Sequence, residues 1–206
     1  MSATYTTNSK VAIVYQDGWD GDYGKAVIFG ATGFPVPQIG SPSDFASNDT
    51  NFTAAVYDST NNKVVAAYWD PGNNYYGTAV VGEVSGTGIT FGTPEVFNSD
   101  WTRDIRLAYD STNNKVIVAY KTSNSYYGAA VVGEVSGTDI TFGTPNTFNS
   151  SSTNKPIPIY DSANDKVVIV YEDVGNSSYG KAILVTVNGT SITLSLIHIS
   201  EPTRPY

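Results

Sequence analysis

Short apolar runs alternate with polar clusters along the whole chain, and no stretch shows the apolar spacing of a helix. Residues 64–68 and 116–120 are apolar at every position, and clusters of Asn, Gly, Ser and Asp separate such runs. Continuous apolar runs of this length are typical of strands that are buried on both faces. The pattern therefore predicts an all-β protein whose sheets are covered on both sides.

The chain contains an internal repeat. The sequence YDSTNNKV at residues 57–64 recurs at 109–116 and, as YDSANDKV, at 160–167. A second tyrosine recurs at Tyr15, Tyr68, Tyr120 and Tyr171, with spacings of 53, 52 and 51 residues. In the second copy we expect strands at residues 52–57, 64–69, 78–84 and 89–97. A period of about 50 residues with four short strands is typical of β-propellers, so we predict a propeller-like array of four antiparallel blades of about 52 residues each.

One repeat domain is expected over residues 1–193, with blades at about 1–49, 50–100, 101–151 and 152–193. The first blade is predicted to lack its opening strand, and the last is predicted to be incomplete because the repeat pattern stops. Residues 194–206 resemble translated sequencing-adapter read-through, and we interpret them as a non-native tail. Pro156 and Pro158 place the first strand of a blade at a free sheet edge, where a missing N–H group is tolerated.

Composition narrows the chemistry. The chain has no cysteine, which excludes disulfides, thiolate nucleophiles and Cys-ligated zinc. Its only histidine, His198, lies in the predicted tail, so the repeats lack the usual nucleophile–base pairs. The formal net charge of -8 disfavours nucleic acid as a partner. No apolar run approaches the ~20 residues of a membrane span, and the first residues show no signal-peptide pattern.

The recurring acids are interpreted as structural. Asp58, Asp110 and Asp161 fall in tight turns, and Glu83 and Glu134 are copies of one another in the third strand. An active site is normally a unique constellation, whereas these residues recur from copy to copy. We therefore predict no catalytic residues, no cofactor and no enzymatic activity. A polysaccharide-active enzyme using a carboxylate pair is the alternative hypothesis.

A metal site is not predicted, but one loop leaves calcium open. Asp17, Asp20 and Asp22 cluster there, and oxygen ligands from one loop can hold Ca²⁺. The spacing differs from that of an EF-hand, and the later copies lose the cluster.

The loop between the second and third strands varies among the copies. It ends in Tyr-Gly each time, interpreted as tyrosine packing between blades and glycine permitting a turn. Antiparallel topology places these loops and the links between blades on one face, where variation would tune binding. Aromatic rings beside amide and carboxylate groups suit sugar rings, and ordinary polar loops are the alternative. The candidate ligand-binding residues are Trp19, Asn73, Tyr75, Trp101, Asn124, Tyr126 and Asn176.

The sequences YDSTNNKVV at residues 57–65 and AVVGEVSGT at 79–87 resemble repeats of marine phage virion proteins, mostly tail fibres and other surface proteins, and of some marine bacterial surface proteins. The resemblance covers residues 8–193. It implies a non-catalytic module on a virion or extracellular surface that binds a carbohydrate or cell-surface receptor. A purely structural scaffold or spacer is the alternative. Uncovered flanks of the end blades would favour homo-oligomers.

Overall fold

A computed structural model describes residues 1–6, 9–19, 21–30 and 38–196. The described chain is all-β, with strands joined by turns and by two short 3-10 helices, Pro71–Asn73 and Val174–Asn176. Within it, no helix is long and apolar enough to cross a lipid bilayer. The strands are β1 (Ser2–Tyr5), β2 (Lys10–Asp17), β3 (Tyr23–Gly30), β4 (Gln38–Ile39), β5 (Ser43–Asp49), β6 (Asn51–Asp58), β7 (Lys63–Asp70), β8 (Tyr76–Ser85), β9 (Gly88–Phe91), β10 (Glu95–Asp110), β11 (Lys115–Thr122), β12 (Gly128–Ser136), β13 (Asp139–Phe142), β14 (Asn146–Asn149), β15 (Thr153–Asp161), β16 (Lys166–Asp173), β17 (Tyr179–Asn188) and β18 (Ser191–Leu196).

Each copy of the repeat forms an antiparallel sheet, numbered here in chain order. Sheet 1 contains β1–β5, sheet 2 contains β6–β9 with the first half of β10, sheet 3 contains the second half of β10 with β11–β14, and sheet 4 contains β15–β18. The last strand of each of the first three sheets leads directly into the first strand of the next. In β10 the two are continuous, because its first half pairs with β8 and its second half with β11. The prediction of an all-β, antiparallel fold is confirmed.

The first copy does have an opening strand, so the prediction that it lacks one is wrong. β1 pairs with β2 through Tyr5↔Val11, just as β6 pairs with β7 through Tyr57↔Val64. The turn after Tyr5 is one residue shorter than the turn after Tyr57, and it lacks the aspartate of the motif. The opening strand was missed in the sequence because the turn that follows it differs from the repeat motif.

The last strand is broken in each of the first three copies, whereas residues 89–97 were expected to form one strand. β9 pairs with one part of β8, and pairing resumes only at Glu95↔Ala79 in β10. Pro94, which has no N–H group to donate, lies in the break. A Cβ added at Gly92 would overlap the backbone of Thr138 in the next sheet, so the chain passes close to that sheet here. The pairs β4/β5 and β13/β14 repeat the break in sheets 1 and 3.

Sheet 4 contains only the first part of this broken strand among the described residues. β18 continues to Leu196, so the first three residues of the predicted tail extend a strand. Leu194 packs against the apolar cluster between sheets 3 and 4. Residues 197–206 lie outside the described residues.

Successive sheets pack face to face through apolar clusters. The middle sheets are buried on both faces: in β7, Val64 and Val65 point to opposite faces and neither is exposed. In the end sheets, burial alternates, and in β16 Ile169 is buried while Val168 and Val170 are half-buried. The two-sided burial predicted from the apolar runs is thus confirmed for sheets 2 and 3. Sheets 1 and 4 each keep one half-buried face.

One aromatic pair recurs at every junction between sheets, and a glycine lies beneath each phenylalanine ring. The pairs, with the distances between ring centroids, are Phe45–Tyr68 (5.2 Å), Phe97–Tyr120 (5.3 Å) and Phe148–Tyr171 (5.1 Å). The glycines beneath the rings are Gly24, Gly77 and Gly128, where a Cβ would overlap the ring. None of the three has a positive φ, so the interpretation that this glycine permits a turn is wrong. It makes room for the ring instead.

The recurring aspartates organise the turns after the first strands, as predicted. Asp58 Oδ1 accepts hydrogen bonds from the backbone N–H groups of Thr60 (3.0 Å) and Asn61 (2.9 Å), and Asp110 repeats the arrangement. The Tyr109 hydroxyl in sheet 3 lies 2.6 Å from Thr60 Oγ1 in sheet 2. These turns therefore add polar contacts between neighbouring sheets.

Candidate functional site

The loops between second and third strands lie beside the links between sheets, which confirms the prediction that they share one end of the molecule. The buried threonine that begins each new sheet donates its backbone N–H to the loop of the preceding sheet. These bonds run from Thr50 to the Asp22 carbonyl (2.9 Å), from Thr102 to the Tyr75 carbonyl (3.2 Å) and from Thr153 to the Tyr126 carbonyl (2.8 Å). We call this end of the sheets the loop end.

The residue before Tyr-Gly adopts the left-handed conformation in all four copies. The residues and their φ angles are Asp22 (60°), Tyr75 (64°), Tyr126 (58°) and Ser178 (58°). A tyrosine rarely takes this conformation, which costs of order 1 kcal/mol or more. The turn imposes the same backbone in each copy while the side chain changes, so the fold presents a variable side chain from a fixed position.

Four aromatic side chains meet at the loop end between sheets 2 and 3. The Tyr75 ring stacks on the Trp69 ring with the ring centroids 5.0 Å apart, and it forms a T-shaped contact with the Trp101 ring with the centroids 4.6 Å apart. The Phe52 ring packs against the Trp69 ring with the ring centroids 6.0 Å apart. We call Phe52, Trp69, Tyr75 and Trp101 the aromatic cluster. Trp101 is 40% exposed and Phe52 38%, so the cluster offers apolar surface to solvent.

Polar groups surround the aromatic cluster. The Arg103 guanidinium lies 5.8 Å from the Trp101 ring centre, within the range of a cation–π interaction. Asp100 Oδ1 accepts hydrogen bonds from the backbone N–H of Trp101 (2.7 Å) and from the exposed side-chain amide of Asn124 (2.6 Å). The link before sheet 3 and the loop of sheet 3 are therefore joined beside the exposed rings.

The other predicted residues are not part of the cluster. Trp19 lies in the loop of sheet 1 and is 100% exposed. Asn73 ends the 3-10 helix before Tyr75, and Asn176 ends its counterpart in sheet 4. The Tyr126 ring lies 5.0 Å from Lys121 Nζ. The structure thus brings together Tyr75, Trp101 and Asn124. Asn73 and Tyr126 share the loops of Tyr75 and Asn124 but lie outside the aromatic cluster, and Trp19 and Asn176 lie in the loops of sheets 1 and 4.

Sequence reasoning missed Trp69, Phe52 and Arg103. Trp69 directly follows the recurring Tyr68, and the same position holds glutamine, lysine or glutamate in the other copies. The criterion of variation among copies would have identified it. Phe52 lies in a β-bulge of β6 with φ of 52°. Alternation of apolar and polar residues in the sequence does not reveal such a bulge.

The Tyr-Gly tyrosine was interpreted as packing between blades, and this is wrong for the later copies. Tyr179 is 63% exposed and Tyr127 is 38% exposed. The first two copies keep this tyrosine half-buried. This difference agrees with the role of the glycine in the first three copies, where the glycine makes room for a phenylalanine ring and the tyrosine before it need not be buried.

Aspartates at the start of the loops differ in their electrostatics. Burial raises the pKa of Asp70, and backbone N–H groups of Gly72 and Asn73 oppose this effect. In sheet 4 the hydrogen bond from Lys181, at 2.6 Å, lowers the pKa of Asp173. Asp173 also accepts a hydrogen bond from the Asn149 amide of sheet 3 (3.3 Å), whereas Asp70 Oδ1 is buried without a hydrogen-bond partner among the described residues.

The calcium hypothesis gains no support from the described residues. Asp17 Oδ1 accepts a hydrogen bond from the backbone N–H of Trp19 (3.2 Å), and Asp17 Oδ2 lies 3.7 Å from Lys25 Nζ. Asp20 lies outside the described residues. The described part of the chain contains no group of three or more acids or histidines placed to hold a metal ion.

The recurring glutamates of the third strand pair with lysines of the second strand. Glu83 lies 3.1 Å from Lys63, and Glu134 lies 3.3 Å from Lys115. These pairs repeat from sheet 2 to sheet 3, in agreement with a structural role.

Comparison with models of protein families finds no match for this chain. Comparison with curated proteins also finds no match.

Proposed function

We propose that the chain is a non-catalytic binding module that holds a carbohydrate at the aromatic cluster of the loop end. The observation that carries the proposal is the contact between the Tyr75 and Trp101 rings, whose centroids lie 4.6 Å apart and of which Trp101 is partly exposed. Sugar rings have apolar faces that stack on aromatic rings, and hydroxyl groups that bond to amides and carboxylates. Asn124 and Asp100 supply such groups beside the rings.

Preorganisation supports this site. The left-handed turn at Tyr75 and the stacked Trp69 hold the ring in place before any ligand arrives. A group that is already ordered loses little conformational freedom on binding. Sheets 1 and 4 carry Asp22 and Ser178 at the Tyr75 position. Sheet 3 carries Tyr126 there but has Lys121 at the Trp69 position, so the cluster is specific to one junction.

The arrangement of the sheets as propeller blades is part of the same proposal. Face-to-face packing in chain order and last-to-first strand connections support it. The resemblance to virion and surface repeats supports a place on a virion or extracellular surface, with a host glycan or cell-surface receptor as partner. The half-buried faces of sheets 1 and 4 support homo-oligomers formed through the end sheets.

A glycan array followed by titration of the best ligand tests the proposal. The double change Tyr75→Ala and Trp101→Ala is expected to weaken binding by about tenfold or more, because each aromatic contact contributes ~0.5–1.5 kcal/mol beyond area burial and tenfold corresponds to ~1.4 kcal/mol. Trp101→Phe should restore part of the affinity.

Tyr5→Ala is the matched control, since Tyr5 is an exposed aromatic residue at the opposite end of sheet 1. It should leave binding unchanged. An array without binding above background, or equal losses for the control and the double variant, would refute the carbohydrate site. A scaffold without ligand would then be the better account.

A further inference from the structure

The third strand of sheet 4 has an outer edge unlike that of the other sheets. In sheets 1 to 3 the second part of the last strand covers this edge, through Gly24↔Ala46, Gly77↔Asn98 and Gly128↔Asn149. In sheet 4, β18 pairs only with residues 183–188 of β17. Among the described residues, no strand covers residues 179–182 on that side. An uncovered edge offers N–H and C=O groups for pairing with another strand.

An open slot lies at the same place. Gly180 is the counterpart of the glycines that lie beneath Phe45, Phe97 and Phe148, yet no described atom lies within 4 Å of a Cβ built there. The slot belongs to a cleft of about 420 Å³ that Lys155, Val170 and Ala182 help to line. In sheet 3 the counterparts of Val170 and Ala182 are Ala119 and Ala130, which pack around Phe148.

Sheets 2 and 3 show which segment fits such an edge. In sheets 2 and 3 the covering segment reads Phe-Asn followed by threonine four residues after the asparagine, at residues 97–102 and 148–153. The asparagine amide donates to that threonine hydroxyl at 2.7 Å and 2.8 Å. The threonine N–H then bonds to the loop carbonyl of the same sheet that the segment covers. The segment thus carries a ring for the slot, strand hydrogen bonds and its own turn.

We propose that the edge at residues 179–182 is a docking site for an extended polypeptide segment with this Phe-Asn-x-x-x-Thr pattern. The segment adds antiparallel to β17, its phenylalanine ring enters the slot over Gly180, and its threonine N–H bonds to the Ser178 carbonyl. Main-chain hydrogen bonds supply affinity and the ring pocket supplies specificity, as in other cases of strand addition. The site is separate from the aromatic cluster, so either can fail without the other.

Peptide binding to the full chain tests the proposal. A labelled synthetic peptide with the sequence of residues 146–154 (NTFNSSSTN) is titrated with the protein, and fluorescence anisotropy is recorded. We expect saturable binding, and a peptide with alanine in place of Phe148 should bind about tenfold more weakly or worse, because it no longer buries a phenylalanine ring in the slot.

Two protein variants locate the site. Gly180→Val fills the slot and should abolish peptide binding. The variant is expected to fold, because no described atom lies within 4 Å of a Cβ at this position and β-branched residues suit strands. Gly88→Val is the matched control, because it adds the same side chain to an exposed strand glycine outside the slot and should leave binding unchanged. Thermal melts of both variants establish that they fold; if Gly180→Val does not melt cooperatively, Gly180→Ala takes its place.

Three results would each overturn the proposal. They are no saturable binding of the peptide, equal binding of the alanine peptide, and unchanged binding to the Gly180 variant. Association of two protein copies through flat sheet faces would not depend on the phenylalanine of the peptide, so it is distinguished by the same titration.

Discussion

Replacing Gly128 with alanine adds a methyl group beneath the Phe148 ring, whereas the same replacement at Gly180 adds it to open space. The new Cβ at position 128 would lie 2.5 Å from Phe148 Cζ. Carbon atoms in contact prefer ~3.5–4.0 Å, so the ring has to move by about 1 Å within a packed junction. Such overpacking typically costs ~1–3 kcal/mol.

The comparison of the two variants isolates this steric cost. In both, alanine lowers the conformational entropy of the unfolded chain and stabilises the fold by ~0.4–1 kcal/mol. Because both variants share that contribution, the difference between their free energies of unfolding reports the cost of displacing the ring. We expect Gly180→Ala to be as stable as the parent or slightly more stable, and Gly128→Ala to be less stable than Gly180→Ala by about 1–3 kcal/mol.

Urea unfolding followed by circular dichroism measures the free energies, with thermal melts as a second observable. One kcal/mol corresponds to a shift of about 2–4 °C in Tm for a chain of this size. Equal stability of the two variants would refute the reasoning, as would a greater loss for Gly180→Ala. Either result would mean that the glycine of Tyr-Gly does not serve to admit a ring.

Two further predictions concern charge and association. Because Lys181 lowers the pKa of Asp173, this carboxylate stabilises the fold above the unfolded pKa of ~3.9, and the contribution is lost as the pH falls through the lower folded value; Asp173→Asn should flatten the acid limb of the urea midpoint against pH, and an unchanged limb would contradict this. The half-buried face of sheet 1 should drive self-association, so Ile13→Asp on that face is expected to lower the mass measured by light scattering; a parent protein that is monomeric at every concentration would contradict it.

Much of the fold could be read from the sequence because strand, turn and repeat signals agree. The motif at residues 57–64 predicted the hairpin, and Asp58 caps its turn as expected. Variation before Tyr-Gly identified Tyr75, and topology identified its neighbour Trp101. These inferences depend on local sequence and on simple antiparallel geometry, and both are visible without coordinates.

The parts that were missed depend on contacts between copies. The role of Gly128 is set by Phe148, a residue 20 positions away that folds back over it. The aromatic cluster requires Phe52 to lie in a bulge and Trp69 to stack on Tyr75. β1 was missed because its turn is one residue short. The alternation of apolar and polar residues along a strand does not predict side-chain contacts between distant residues, bulges or changes in turn length.

The central claim is that units of about 50 residues each form a sheet that stacks on its neighbours. Nuclear Overhauser contacts between aromatic rings of successive copies test it most directly. The account predicts contacts for Phe45–Tyr68, Phe97–Tyr120 and Phe148–Tyr171, whose ring centres lie 5.2, 5.3 and 5.1 Å apart. Rings that contact only residues of their own copy would contradict the stacking of the sheets.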